Sequence, residues 1–406
     1  MLVALAWRNL WRRPQRTILS LLSIALVSTL LVCVVSFQTA VYGVMKETTL
    51  RIFTGYAQLQ PLGYADDPGL ERTIARPEDL AREATMIDGV TAAAPRVNGF
   101  AILANGERSY GAAVVGVDPA SEAQISSIGS MIREGRYLAP GDSDAAILGD
   151  ILARNLGVTV GSKVTVLGSG RDGSVSADVL RVVGIYHSGI PELDRSILEM
   201  PLARAQETFA MSGFANTIAL GGATLEGVNN AMPALQELAR KQGVIVRDWG
   251  SMEPAMRDGI TLKIATSMMF FLTLVVVVAF IILNTLLMSV LERTREFGML
   301  LAVGMQPHMI GRMVWIELVG LALVGCGAGL AIGGGITLWL QHQGVLIPGM
   351  ADLLSQFGLP PRLYPALSPL SALIGPGAIF VAILIGGIVP YLRVARLTPA
   401  LAMRGA

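Results

Sequence analysis

Charge is missing from long tracts of this sequence. Asp and Glu occur 30 times in 406 residues, yet residues 18–40, 264–291, 318–340 and 370–392 contain no acidic residue and no Lys or Arg. Each tract reaches the roughly 20 apolar residues that cross about 30 Å of hydrocarbon, which predicts four transmembrane helices. Cysteine is almost absent. Cys33 and Cys326 both fall inside predicted spans, which excludes a disulfide-stapled domain between spans one and two. Histidine is scarce too. His187, His308 and His342 lie in three different segments with no H-E-x-x-H pattern, so no metal cluster is expected. There is no Walker A sequence. The run 157–163 has the wrong spacing and is not followed by Ser or Thr, so no ATP hydrolysis is expected of this chain. Without a G-x-S-x-G elbow, or a Cys/His pair in a soluble segment, no catalytic residue is assigned.

What is present is an apolar chain, 52% hydrophobic and 15% charged, with its charge outside the spans. Arg8, Arg12, Arg13 and Arg16 precede span one. Arg293, Arg295 and Arg312 lie between spans two and three, and Arg393, Arg396 and Arg404 follow span four. The other short loop has only Arg362. By the positive-inside rule both termini and the second loop face the cytoplasm. Residues 42–263 then face a periplasm or the exterior. They carry 26 acidic and 20 basic residues, a balance that argues against nucleic acid as a partner. The first apolar run is too long for a signal peptide and no A-x-A-like site follows it, so it is expected to be retained as a span.

The layout predicted is an amphipathic elbow helix at 1–16, spans at 17–41, 264–291, 313–341 and 370–392, and an external domain at 42–263. A cytoplasmic loop at 292–312, a short external loop at 342–369 and a tail at 393–406 complete it. In the elbow, Trp7 and Trp11 border an apolar face opposed by Arg8, Asn9, Arg12 and Arg13. That pattern suits either a membrane anchor or a contact with a partner. Helical signal continues outward from span one through residues 38–50 and begins near Met252 before span two, which predicts long stalks. The external domain reads as mixed α/β. Strands are expected at 57–59, 99–103, 112–116, 163–167, 180–185 and 217–220, and helices at 77–86, 142–156 and 225–242. A β-rich part at about 111–199 is expected to be inserted into a helix-bearing part built from the domain's two ends.

Gly325, Gly329 and Gly333 repeat every fourth residue in span three, a stripe that lets helices approach closely. Glu317, near the cytoplasmic interface, is read as reaching headgroups or a helix end. Val34, Phe37, Met268 and Phe271 are large apolar residues near the outer ends of spans one and two. They suit either a cargo groove or ordinary helix packing.

One segment narrows the choice. Leu291-Glu-Arg-Thr-Arg-Glu-Phe-Gly-Met-Leu-Leu-Ala-Val-Gly-Met305 resembles the E-R-x-x-E-(I/F)-G-x-L-x-A-x-G signature of FtsX-like, or MacB-type, ABC transporter permeases. Residues 7–17 and 397–401 resemble that family's usual start and end. The resemblance implies an α-helical membrane protein with four transmembrane helices and a large α/β, MacB-like periplasmic domain inserted between helices 1 and 2. It implies a coupling helix carrying Glu292, Arg293, Arg295, Glu296, Gly298 and Gly304, assisted by Trp7, Arg8 and Arg12. The partners implied are an ABC ATPase dimer that binds ATP and Mg, a second permease copy or paralogue, membrane lipids, and a periplasmic chaperone or accessory protein. Four spans, a domain of this size and a separate ATPase match the Lol-type lipoprotein-releasing permeases best, as do residues 55–65 and 184–206. A bacterial inner-membrane location follows. One feature departs from that pattern. The candidate chaperone-recruiting hairpin, residues 167–179, is polar and Gly/Ser-rich with no Pro or aromatic at its tip, so a flexible tip is expected.

The expected function is release of lipoproteins or lipid-like cargo from the outer leaflet, driven by the partner's ATP hydrolysis. The alternatives are mechanical transmission to an efflux duct or a cell-wall hydrolase, and a receptor with no ATPase. The topology has a direct test. In a background with Cys33 and Cys326 replaced by Ala, a membrane-impermeant maleimide is expected to label Ser174→Cys in intact spheroplasts. Arg295→Cys is expected to react only after permeabilisation, and the reverse pattern would invert the orientation.

Overall fold

The structure is a computed structural model and describes residues 8–12, 14–346, 349 and 362–395. Trp7, most of the elbow helix and the 397–401 motif lie outside the described residues. The chain forms two compact units, one of residues 8–43, 259–346 and 362–395, the other of residues 44–258.

Helix α1 (Pro14–Ile52) is unbroken over 39 residues, about 58 Å at 1.5 Å per residue. Pro14 opens it, at a position where the missing N–H has no intrahelical partner to lose. There follow β1 (Ala57–Pro61), β2 (Ile74–Ala75), α2 (Pro77–Thr85), β3 (Ala92–Asn105), β4 (Arg108–Val117) and α3 (Pro119–Glu122). Next are β5 (Ile132–Gly135), β6 (Ala145–Gly149), α4 (Asp150–Leu156), β7 (Lys163–Ser169), β8 (Val175–Tyr186), α5 (Pro191–Ser196), β9 (Ile197–Pro201) and α6 (Leu202–Thr208). The domain ends with β10 (Phe214–Ala215), β11 (Thr217–Gly221), α7 (Leu225–Gln242), β12 (Val244–Asp248) and α8 (Trp249–Met252).

β3 is the spine of this α/β domain. Its first half pairs with β11 and its second half with β7, both on one edge, while β4 pairs along the other from Arg96 to Asn105. From β4 the pairing passes to β9, β6, β8 and β7 and returns to β3, a closed circuit of six strands. Closure leaves those strands without an open edge. Leu103, Val114, Leu148, Val166, Val182 and Leu198 form its core, packed with Leu152 and Leu156 of α4 and Phe209. Towards the other end, β12, β1, β11 and β3 form an antiparallel sheet. Leu59, Ile218 and Leu220 of that sheet share a core with Leu80 and Ala84 of α2 and Val228 and Leu235 of α7. Thr224 caps α7 through the Gly227 amide, and Gly243 closes it in the left-handed region.

Three expectations need correction. Residues 142–156 are not one helix. Ala145–Gly149 is the wholly buried strand β6, and only Asp150–Leu156 is helical. A short apolar run buried on both faces has no alternation to distinguish it from helix. The β-rich part is not bounded at 111–199 either, because β3 serves both parts and α6 with Phe209 completes the inserted core. The tip of the 167–179 hairpin is not a free flap. The Arg171 amide donates to Phe209 O at 2.9 Å, and its guanidinium lies 4.0 Å from the Phe214 ring centroid. The aromatic anchor comes from a segment distant in sequence.

On the other face of β9 lies a buried polar cluster. Arg96 and Glu122 are fully buried and make a two-pronged ion pair at 2.6 and 3.0 Å, with Phe53 stacked on the guanidinium. The third member, Glu199, accepts a hydrogen bond from the Tyr137 hydroxyl at 3.1 Å, while its Oε1 has no hydrogen-bond partner among the described residues. Burial, reinforced by the Glu122 charge, pushes the Glu199 carboxyl from 4.5 to about 8. The protonated form leaves the cluster neutral, one cation against one anion. The native state therefore holds this proton while the unfolded chain has lost it, so stability falls as pH rises from about 4.5 to about 8. Glu199→Gln is expected to flatten that slope, with the melting temperature of the variant gaining on wild type between pH 5 and 8. Parallel curves would show that Glu199 is ionised in the fold.

In the second unit α9 (Pro254–Glu292) is again 39 residues long, followed by α10 (Thr294–Ala302) and α11 (Pro307–Gln343). A two-residue ladder, β13 (Val345–Leu346) with β14 (Arg362–Leu363), precedes α12 (Pro369–Gly386) and α13 (Ile388–Ala395). Four helical stretches are long and apolar enough to cross a membrane. Span four is interrupted at Gly387, and the helix of span three starts six residues before the expected 313, at Pro307.

The glycine stripe faces α1. A Cβ on Gly325 would lie 2.7 Å from Ile24 Cβ, and one on Gly329 would lie 2.3 Å from Ser28 Cβ. At Gly333 the nearest atom is Val32 Cβ at 3.0 Å. Lipid tails are as apolar as these helices, so burial alone does not drive them together. Close backbone approach, here allowing Thr29 to donate to Gly329 O at 3.2 Å, supplies the attraction.

Candidate functional site

The signature segment occupies the turn between α9 and α11. Its last residue before α10, Arg293, is 16% exposed and reaches Glu317 of α11, itself 7% exposed, at 3.2 and 3.3 Å. Arg293 also pairs with Glu296 at 3.4 Å and lies 5.2 Å from the Phe297 ring centroid. Asn9 donates to the same Glu317 carboxylate at 3.0 Å. Glu317 thus collects the N-terminal segment, the loop and α11 at one point. It does not merely cap a helix or reach for headgroups.

Around this pair the charges are more open. Arg12 meets Glu296 at 3.5 Å, with both side chains about half exposed or more. Arg16 meets Glu292 at 3.2 Å and also donates to the Thr285 carbonyl of α9. A cavity of about 220 Å³ lies among these groups, lined by Asn9, Arg12, Arg16, Glu292, Arg293 and Glu317 with apolar residues of α9 and α11.

α10 has two faces. Phe297, Gly298 and Leu301 are buried, and Phe297 and Leu301 pack with Ile310, Met313 and Val314 of α11. Arg295, Glu296, Met299 and Val303 are exposed, Val303 to 89%. Gly304 then turns the chain at φ +100°, a left-handed conformation that disfavours other residues. Gly298 is buried against the bundle, while Gly304 shapes the exit from α10.

Of the sites read from sequence, Glu292, Arg293, Glu296 and Arg12 come together here. Arg295 stands on the exposed face of α10, Arg8 is exposed on the N-terminal segment, and Trp7 lies outside the described residues. Sequence reasoning missed Asn9, Arg16 and the true role of Glu317. Its signal was available, since an acid at the start of an otherwise uncharged span needs a partner. The apolar set is less uniform. Val34 and Met268 are exposed, whereas Phe37 is half-buried and Phe271 packs partly into the helical core. They sit at one level of α1 and α9, where Gln38 donates to Ser267 Oγ at 2.8 Å.

A four-span helical bundle with a large inserted α/β domain, and a short amphipathic helix pinned at one end of its spans, has the form of a transporter's membrane subunit. The chain matches the FtsX-like permease C-terminal domain over residues 268–399 and the MacB-like periplasmic core domain over residues 17–235. It belongs to the FtsX-like, MacB-type ABC transporter permeases. Against the lipoprotein-releasing system transmembrane protein LolC of Neisseria meningitidis serogroup B it is 27% identical, over 78% of this chain and 76% of that protein. LolE of Haemophilus influenzae is 25% identical over 73% and 71%. The macrolide export ATP-binding/permease protein MacB 1 of Yersinia pestis bv. Antiqua is 34% identical, but over 27% of this chain and 20% of that protein. Among solved structures, the periplasmic region of MacB from Actinobacillus actinomycetemcomitans covers 50% of this chain and 91% of that one, at 15% identity and TM-score 0.36.

Removing one member of a buried ion pair strands the other, at a cost on the order of 3–5 kcal/mol. Glu317→Ala is therefore expected to lower the melting temperature in detergent sharply. The double variant Arg293→Met/Glu317→Leu is expected to recover most of the loss, and Arg12→Ala, at an exposed pair, to cost about 0.5 kcal/mol or less. A double-variant loss equal to the sum of the separate Arg293→Met and Glu317→Leu losses would mean that the pair is not coupled.

Proposed function

We propose that this chain is the membrane subunit of an ABC system that releases lipoproteins or lipid-like cargo from the outer leaflet of the bacterial inner membrane, with both termini in the cytoplasm. A separate ATPase dimer binds ATP and Mg, docks on α10 and supplies the power stroke. A second permease, identical or a paralogue, completes the transmembrane part, and a periplasmic chaperone or accessory protein receives the cargo. The observation that carries this reading is the division of labour on α10. Its inner face is fixed to α11 by Phe297, Leu301 and the Arg293–Glu317 pair, so a push on its outer face moves the span. That outer face offers Met299 and Val303 as apolar anchors beside Arg295 and Glu296, a composition suited to a cleft on a partner.

The lipoprotein reading draws on the similarity to LolC and LolE, transmembrane proteins of lipoprotein-releasing systems, each aligned over about three quarters of the chain. Cargo is proposed to enter where Val34, Phe37, Met268 and Phe271 share one level of α1 and α9. The two helices extend well beyond a bilayer's thickness and are proposed to pass movement to the α/β domain.

The test is to co-express the chain with its candidate ATPase, purify the complex and identify bound molecules by mass spectrometry before and after ATP. Acylated protein or a defined lipid, lost on ATP addition, is the expected result. An empty complex that hydrolyses ATP and captures a periplasmic protein would replace cargo release with mechanical transmission. Met299→Asp/Val303→Asp is expected to weaken ATPase capture about tenfold or more without changing the melting temperature of the permease. Unchanged capture would remove α10 as the docking element.

A further inference from the structure

The α/β domain contains a second chemical grouping, unrelated to the coupling end. β6 and β8 are parallel neighbours, in register at Gly149 and Tyr186. The residues that follow, Asp150 and His187, therefore leave the sheet side by side, 37 positions apart in the chain. The ends of parallel strands are where α/β folds most often place ligands. Asp194, from α5, is the third member. α5 comes this close because residue 149 is glycine, where a Cβ would lie 2.2 Å from Asp194 O.

One donor atom from each of Asp150, His187 and Asp194 lies within 4.8 Å of the others. His187 Nδ1 is 3.2 Å from Asp150 Oδ2 and 3.2 Å from Asp194 Oδ2. A single imidazole nitrogen carries at most one proton and can serve one of these oxygens. Asp194 is 1% exposed, and its Oδ2 accepts no hydrogen bond from any described residue, although it faces the cluster. Its other oxygen is occupied, accepting from the Ser188 amide at 2.8 Å and hydroxyl at 2.7 Å, which holds the carboxylate in place. Asp150 Oδ1 is likewise buried and unpartnered among the described residues, while Oδ2 accepts from Arg154 at 2.8 Å. A buried, rigidly held Asp194 oxygen without a donor, 3.2 Å from an imidazole nitrogen whose single proton can go to Asp150 Oδ2, describes a place for a cation.

We propose that Asp150, His187 and Asp194 bind a divalent transition-metal ion, with zinc as the best-fitting species. Ligands about 2.1 Å from a metal and separated by 90–110° stand about 3.0–3.4 Å apart, which the two 3.2 Å separations match. One imidazole with two carboxylates suits zinc or manganese, whereas calcium and magnesium prefer oxygen alone and copper(I) prefers sulfur. His187 is one third exposed, so the remaining positions open to water. The ion would tie the end of β8 to the starts of α4 and α5 and stiffen this corner of the domain.

The test uses the full-length, tag-free chain in detergent, stripped with a chelator and titrated with zinc chloride by calorimetry. One equivalent is expected, with a rise in melting temperature. His187→Ala and Asp150→Asn are each expected to weaken binding at least about tenfold, with the metal-free melting temperature preserved, while His308→Ala binds as wild type. Asp194→Asn is avoided because Asp194 also holds the Ser188 turn. Absence of a zinc equivalent, or undiminished affinity in His187→Ala, would overturn the site and leave a plain His–Asp ion-pair cluster.

Discussion

The buried Arg293–Glu317 pair is the constraint from which the organisation of the membrane unit follows. Charges at the end of an apolar span are costly to desolvate, so each must be answered by a partner of opposite sign and by hydrogen bonds. Glu317 meets that demand with Arg293 from the loop and Asn9 from the N-terminal segment, three parts of the chain that are remote in sequence. Once they are joined, α10 has one orientation. Phe297 and Leu301 turn inward, and Met299 and Val303 are left outside. The exposed face proposed as a docking surface is thus a consequence of where two charges could be satisfied.

The two units solve the problem of cohesion differently. In the helical unit the spans are apolar along their length, and contact between them is gained through small residues. Gly325, Gly329 and Gly333 admit Ile24, Ser28 and Val32 of α1, and Gly375 admits Leu31 in the same way. The α/β domain instead excludes water. Its strands close on themselves through β3, and the polar groups buried on the outer face of β9 are neutralised. Arg96 is matched by Glu122, and Glu199 keeps its proton because a second unmatched anion would be too costly.

Closure also explains where chemistry collects in the domain. Parallel pairing of β6 with β8 sends two chain segments out of the same end of the sheet, and the glycine before Asp150 lets α5 settle against them. The barrel core needs none of these polar groups. Asp150, His187 and Asp194 are carried on the segments that leave the strands, where side chains are free to serve a ligand.

Much was legible in the sequence because it depends on local, one-dimensional properties. The absence of charge over membrane-spanning lengths specified four spans, since hydrocarbon admits no unpaired charge. The long helices and α7 declared themselves by length, periodicity and capping. The 291–305 signature announced the family. Strand β6 was illegible because a short run buried on both faces carries no period. Partnerships across sequence could not be read at all. Glu317 looked like a lone acid, His187 like an isolated histidine, and the 167–179 hairpin like a loose tip. In each case at least one partner lies tens to hundreds of residues away. Composition along the chain decided which segments enter the membrane and which fold outside it. Only the tertiary structure decided which charges are paired, which face of α10 is left open and which oxygens remain without a donor, because burial and distance are properties of the folded chain.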